Sequence, residues 1–152
     1  MKKIIISPYS KKLREKETPH PKNFPMWKEL LLLLPEYEII QIGVEGEERL
    51  VENCKFNLPT SDLIELSKDI GTWVSVENFF PHFMHYNHPE KRGVVIFSQS
   101  DPFIFGYPKN INLLKDKKHL RWDQYGPWEL AEYKKEAFVE PEAVVEAIKS
   151  II

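Results

Sequence analysis

The chain has 152 residues, 42% hydrophobic and 29% charged, with a formal net charge of −2 at pH 7. That length fits one domain around one core, that balance excludes a disordered chain, and the near-neutral charge removes the global pull toward nucleic acid that clustered basic residues provide. Cys54 stands alone, which excludes an intramolecular disulfide and a cysteine metal framework, and the longest apolar run, Leu30 to Leu34, is far below the roughly 20 residues of a membrane span.

No apolar leader with a cleavage site opens the sequence, so the expectation is a cytoplasmic protein with no membrane span. Lys2 to Ile6 is a β-branched run closed by Ser7-Pro8 and predicts a buried strand. Lys11 to Pro25 is basic and broken by Pro19, Pro21 and Pro25, which predicts a long loop. Pro25 to Leu34 has helical character and ends at Pro35, and Tyr37 to Ile42 reads as a second strand closed by Gly43. Glu45 to Asn53 is expected to be helical, Lys55 to Asn57 a very short strand, and Thr60-Ser61-Asp62 the cap of a helix reaching about Ile70. Thr72 to Val76 is the next strand, Asn78 to Tyr86 a helix and Gly93 to Phe97 a further strand. After Ser100-Asp101-Pro102 comes a strand near Ile111 to Leu114 and an irregular segment holding Trp122, Tyr125 and Trp128, and Pro141 opens the last helix.

Continuously apolar strands separated by helices predict a parallel sheet covered on both faces. The expected fold is therefore α/β, a single Rossmann-like doubly wound parallel sheet of about six strands spanning residues 1–152. In such sheets ligands bind beyond the carboxyl ends of the strands. The positions to watch are Ser7 to Lys12, Gly43 to Glu45, Glu77 to His82, and Ser98 to Asp101.

The third of these opens "VSVENFFPHFMHYNH", where a strand ends at Val76 and Asn78 can cap a helix. The first free N–H groups of that helix, from Phe79, Phe80 and His82, could receive phosphate without a glycine-rich motif. His82 is either a donor to phosphate or ribose, or a half-buried histidine bonded to a carbonyl. His82, His85 and His88 are spaced by three and drift about 60° around a helix at each step, so they do not form a metal site; no metal or cofactor is expected. In the first loop Ser7, Ser10, Lys11 and Lys12 could grip a diphosphate, or the lysines could simply be solvated. Neither a Walker loop nor Gly-x-Gly-x-x-Gly occurs, the closest piece being Gly43-Val44-Glu45-Gly46, and there is no Gly-x-Ser-x-Gly elbow.

Read in order, "IIISPYSKKLREKETPHPKNFPMWKELLLLL", "EIIQIGVEGEE", "LPTSDLIELSKDIGTWVSVENFFPHFMHY" and "GVVIFSQSDPFIFGYPKNINLL" resemble the donor-binding half of a family 9 glycosyltransferase, the heptosyltransferase group of GT-B enzymes. The similar pieces are Ser7, Ser10, Lys11 or Lys12, the helix entry Phe24-Pro25 to Trp27, the Glu77-Asn78-Phe79 start with His82 three residues on, and Gln99-Ser100-Asp101-Pro102. Phe79 stands where the family has glycine, and Glu77 where it has aspartate. The resemblance implies a nucleotide-diphosphate pocket, with Lys11, Lys12, Asn78 and His82 toward phosphate, Glu77 toward a ribose or sugar hydroxyl, and backbone near Ile42 and Gly43 toward the base. Gln99 and Asp101 would stand at the same edge.

In that family an acceptor domain carrying the catalytic base would precede Met1. The leading expectation is accordingly a stand-alone binding protein for an adenine-nucleotide-like or nucleotide-sugar ligand, sequestering a small nucleotide signal, with no catalytic residue of its own. The alternative is the donor half of a split or dimeric glycosyltransferase, completed by a homodimer mate or a separate acceptor-domain chain. A third is an interaction module that has lost its site, with Trp122, Tyr125 and Trp128 as a protein-binding patch.

Overall fold

The computed structural model describes residues 1–10 and 19–152. Six strands, β1 (Lys3–Ser7), β2 (Glu38–Gly43), β3 (Cys54–Phe56), β4 (Thr72–Val76), β5 (Val94–Ile96) and β6 (Ile111–Leu113), form one sheet in the order β3-β2-β1-β4-β5-β6. Every pairing is parallel. This is the Rossmann-like strand order, which reverses direction between β1 and β4.

Strand alternation divides the core. Ile4, Ile6, Val74, Val76, Val94 and Ile96 face α1 (Trp27–Leu32) and α5 (Pro141–Ile151), packing on Trp27, Leu30, Phe138, Val144 and Ile148. Ile5, Ile40, Ile42, Trp73, Val95 and Phe97 face α2 (Thr60–Ser67) and α3 (Phe79–Asn87), packing on Leu63, Phe80 and Met84. Helices thus cover both faces, which is why β1 and β4 are apolar at successive positions rather than at alternate ones. In α5, Pro141 fits the first turn, where its missing N–H costs nothing, and Val144, Ala147 and Ile148 recur at helical spacing on the buried side. Gly93 lies flat against the Trp73 indole, and any Cβ there would enter the ring.

The connection from β2 to β3 corrects one expectation: Glu45 to Asn53 forms no helix. Gly46 takes a left-handed turn at φ 96°, and the buried Gln41 side chain captures the rest of the segment. Its amide donates to the Glu48 carbonyl at 2.8 Å, and its oxygen accepts from Leu50 N at 2.7 Å. Helix formation would require those same backbone groups. The second helix also differs from its sequence reading, since Pro59 occupies the N-cap with no side-chain bond and Thr60 is already helical. It ends at Ser67, short of Ile70, where Lys68 N donates to Glu65 O in a tightened last turn. Helix α1 is likewise shorter than Pro25 to Leu34, because Leu33 and Leu34 bond three residues back ahead of Pro35.

Between β5 and β6 lies a single turn, α4 (Pro102–Phe105), started by Asp101, whose carboxylate accepts from Phe103 N. Beyond β6 the chain runs through three short 3-10 turns before Ala137, Phe138 and Val139 re-enter the core. No helix among the described residues is long and apolar enough to cross a membrane.

Candidate functional site

At the carboxyl edge of the sheet, the start of α3 is held by one side chain. Asn78 Oδ1 accepts from Phe80 N at 2.9 Å and from the Ser75 hydroxyl at 2.9 Å, while its amide nitrogen donates to Ser7 Oγ at 2.9 Å and Tyr9 O at 3.2 Å. Asn78 therefore caps the helix as its sequence position suggests and also pins the segment after β1 to the end of β4. That leaves Asn78 engaged within the protein, and it removes Phe80 N from the donors expected to meet phosphate; Pro81, next in line, has no N–H. Ser7 is buried as Asn78's acceptor, and Ser10 donates from its hydroxyl to Glu77 O at 3.0 Å. Lys11 and Lys12 lie outside the described residues.

Glu77 directly follows β4. Its Oε1 pairs with Lys22 Nζ at 2.8 Å and accepts from the Ser100 hydroxyl at 3.0 Å. Its Oε2 is shut off from solvent and has no hydrogen-bond partner among the described residues. Lys22 comes from the segment ahead of α1 and lies 4.9 Å from the ring centre of Trp128, whose indole also carries the Arg121 guanidinium at 3.8 Å. Around these groups is a cleft of about 540 Å³, lined by Lys22, Glu77, Asn78, Phe79, His82, Ser100, Phe105, Gln124, Tyr125, Gly126 and Trp128.

Of the residues singled out in the sequence, Glu77, Asn78, Phe79 and His82 meet in this cleft. Phe79 is 56% exposed. His82 Nδ1 shares a hydrogen bond with Tyr107 Oη at 2.7 Å, and His85 stacks on the other side of that contact, 3.9 Å from the Tyr107 ring centre. Burial holds the Tyr107 hydroxyl above its ordinary range. His88 points elsewhere, its Nε2 3.0 Å from Ile64 O, so the three histidines do not converge.

Ile42 is buried in the core, and the Gly43 carbonyl accepts from Asn57 N, so neither lines the cleft. Gln99 is buried and lines a neighbouring cleft of about 410 Å³ with Arg121, Trp122 and Leu130. Asp101 serves as the α4 cap. Ser100 lies in the watched stretch Ser98 to Asp101, whereas Lys22, Phe105, Gln124 and Gly126 are cleft residues that sequence reasoning missed. Lys22 was hidden within a stretch of many lysines. Tyr125 and Trp128 were noted only as a patch, although aromatics in a segment lacking helix or strand periodicity were the available signal.

Two titratable groups nearby are strongly perturbed. Burial, then the Lys22 charge, lowers His20 from 6.5 to about 4; its Nδ1 accepts from Lys22 N at 3.1 Å, so the neutral ring carries its hydrogen on Nε2. Burial, then the Glu48 and Glu47 charges, raises the Tyr9 phenol well above its usual range, so that it stays protonated.

No family model, curated protein or solved structure matches the chain. The chemistry of the cleft rests on its own residues: a carboxylate with one oxygen unpaired among the described residues, an ammonium, a hydroxyl, an imidazole, and aromatic walls.

Proposed function

We propose that this protein binds an adenine-nucleotide-like or nucleotide-sugar ligand in the cleft beyond β4 and β5. The observation that carries the reading is Glu77, a carboxylate at the carboxyl edge of a Rossmann-like sheet with one oxygen satisfied by Lys22 and Ser100 and the other without a partner among the described residues. A buried acceptor without a donor costs about 1–3 kcal/mol. A ligand carrying both phosphate and hydroxyl groups exchanges partners with the pair: phosphate shares the Lys22 ammonium with Glu77, and a ribose or sugar hydroxyl donates to the carboxylate. Tyr125, Trp128 and Phe79 offer flat surfaces for a base or sugar ring, and His82 is placed to donate beside them.

The test is a thermal-shift series with ADP, nucleotide sugars and unphosphorylated nucleosides. A ligand at 100 times its dissociation constant adds about 2.7 kcal/mol, so phosphorylated ligands raise the melting temperature by several degrees and nucleosides by less. Lys22→Ala and Glu77→Gln each weaken the shift while leaving the circular dichroism spectrum intact. A broad nucleotide panel without any shift at millimolar concentration removes this reading.

A second reading, the donor half of a split glycosyltransferase of the family 9 type, is favoured by the apolar side chains left exposed beside the cleft. Phe79 and Tyr125 line it, and Phe103, 95% exposed, stands on the adjoining turn. Transfer also needs an acceptor hydroxyl and a base within hydrogen-bond reach. The purified chain is expected to bind a nucleotide sugar without transferring it to a mixed acceptor extract. Acceptor-dependent nucleotide release by the pure protein, abolished in Glu77→Gln, would replace the binding-protein reading with this one.

A further inference from the structure

We propose that Tyr107 is a positioning residue for the cleft: its hydroxyl donates to His82 Nδ1, so the neutral imidazole carries its hydrogen on Nε2 and meets a ligand as a donor. The two side chains come from different elements, His82 from α3 and Tyr107 from the connection between α4 and β6. His82 Nδ1 and Tyr107 Oη are 2.7 Å apart, with the ring planes at 76°. One hydrogen lies between two atoms that close, and either the phenol or the imidazole supplies it. A phenol is a stronger acid than the N–H of a neutral imidazole, and the bare ring nitrogen is a stronger base than a phenol oxygen. The phenol therefore donates. Burial, then Tyr86, holds the Tyr107 proton above its ordinary range, which keeps the donor in place.

Tyr107 is itself held. Its carbonyl accepts from Asn110 N and from Asn112 Nδ2, both at 3.0 Å. Its ring stacks face to face on His85, with 3.9 Å between ring centres and planes 13° apart, a contact that leaves the hydroxyl to His82. Tyr86 brings the other hydroxyl to this oxygen and donates to it, because the single proton of Tyr107 already goes to His82.

The consequence falls on the cleft. His82 lines it beside Glu77, and with Nδ1 occupied, Nε2 is the ring nitrogen left for a ligand. A hydrogen fixed there suits an acceptor such as a phosphate oxygen and repels an N–H or ammonium group. The cleft thus sets a donor at His82 against the acceptor at Glu77. That role toward a ligand rests on the nucleotide reading above, whereas the tautomer does not.

Ring nitrogen-15 NMR of the ligand-free protein at about pH 8, above the ordinary imidazole range, separates the two. His82 is expected to show one tautomer, with hydrogen on Nε2 and Nδ1 shifted as a hydrogen-bonded acceptor. Tyr107→Phe keeps the ring that stacks on His85 and removes only the hydroxyl. It is expected to move the Nδ1 resonance to that of an unbonded acceptor, to leave the circular dichroism spectrum unchanged, and to weaken ADP binding by about threefold to tenfold. Hydrogen on Nδ1 in the natural protein overturns the proposal, as do His82 nitrogen shifts that Tyr107→Phe leaves unmoved. Should the variant fail to fold, the tautomer of the natural chain decides alone. Equal ADP affinity in a folded variant whose Nδ1 has moved removes the positioning role. A protein that shows the Nε2 tautomer and binds no nucleotide loses the nucleotide reading and keeps Tyr107 as the group that sets His82.

Discussion

Asn78 uses its side chain to join three pieces of backbone: the end of β1, the end of β4 and the start of α3. Its replacement by Ala removes a helix cap and strands the buried acceptors on Ser7 and Tyr9, a loss of about 2–4 kcal/mol. Urea unfolding measures it, and a change under about 0.5 kcal/mol would contradict the pinning role. Its capping function was legible from its place before an aromatic run; its bonds to Ser7 and Tyr9 were not, because they join residues distant in sequence. The same limit hid Lys22, which meets Glu77 only after β1 and β4 lie side by side.

His20 gives a pH prediction. Its imidazole has an ordinary value of 6.5 and a folded value of about 4, so between those values the unfolded chain holds more protons than the folded one. Stability is then fully present above about pH 6.5 and falls as pH drops toward 4, by at most about 1.4 kcal/mol per pH unit. Imidazole NMR shifts report the folded titration directly. A His20 ring that titrates near 6.5 would contradict the burial described here.

Among the elements, the strands were the most legible and the β2–β3 connection the least. Ile4-Ile5-Ile6 is buried on both faces and marked by its apolarity, and Thr72 to Val76, equally buried, by its β-branched and aromatic residues. Glu45 to Asn53 has the charged composition of an exposed helix, but the buried Gln41 amide takes the Glu48 and Leu50 backbone groups a helix would use, and only the folded sheet places that amide. Gln41→Leu keeps the volume, orphans Leu50 N and Glu48 O, and is expected to loosen β3 selectively. Faster hydrogen exchange at Asn57, with β4 and β5 unchanged, checks it. Gly93→Ala drives a methyl group into the Trp73 ring and is expected to cost about 1–3 kcal/mol, read from the denaturation midpoint.

For the whole molecule, the parallel sheet with helices on both faces followed from strand spacing and apolarity, and a cleft lies at its carboxyl edge. The segment from Leu114 to Glu136, between β6 and the last core residues, was not legible in the same way. Lacking buried residues, it carries no periodic pattern, yet it supplies Tyr125 and Trp128 to the cleft. The central claim is that a phosphorylated ligand occupies this cleft by exchanging partners with Lys22 and Glu77. Two-dimensional NMR during titration with ADP tests it most directly. The account predicts saturable shifts at Glu77, Phe79, Ser100 and the Trp128 indole, with the Lys22 ammonium signal moving and the far edge at β3 unchanged. Saturable binding that shifts residues elsewhere and leaves Glu77 and Ser100 unmoved, or no shifts at millimolar ADP and nucleotide sugar, would contradict it.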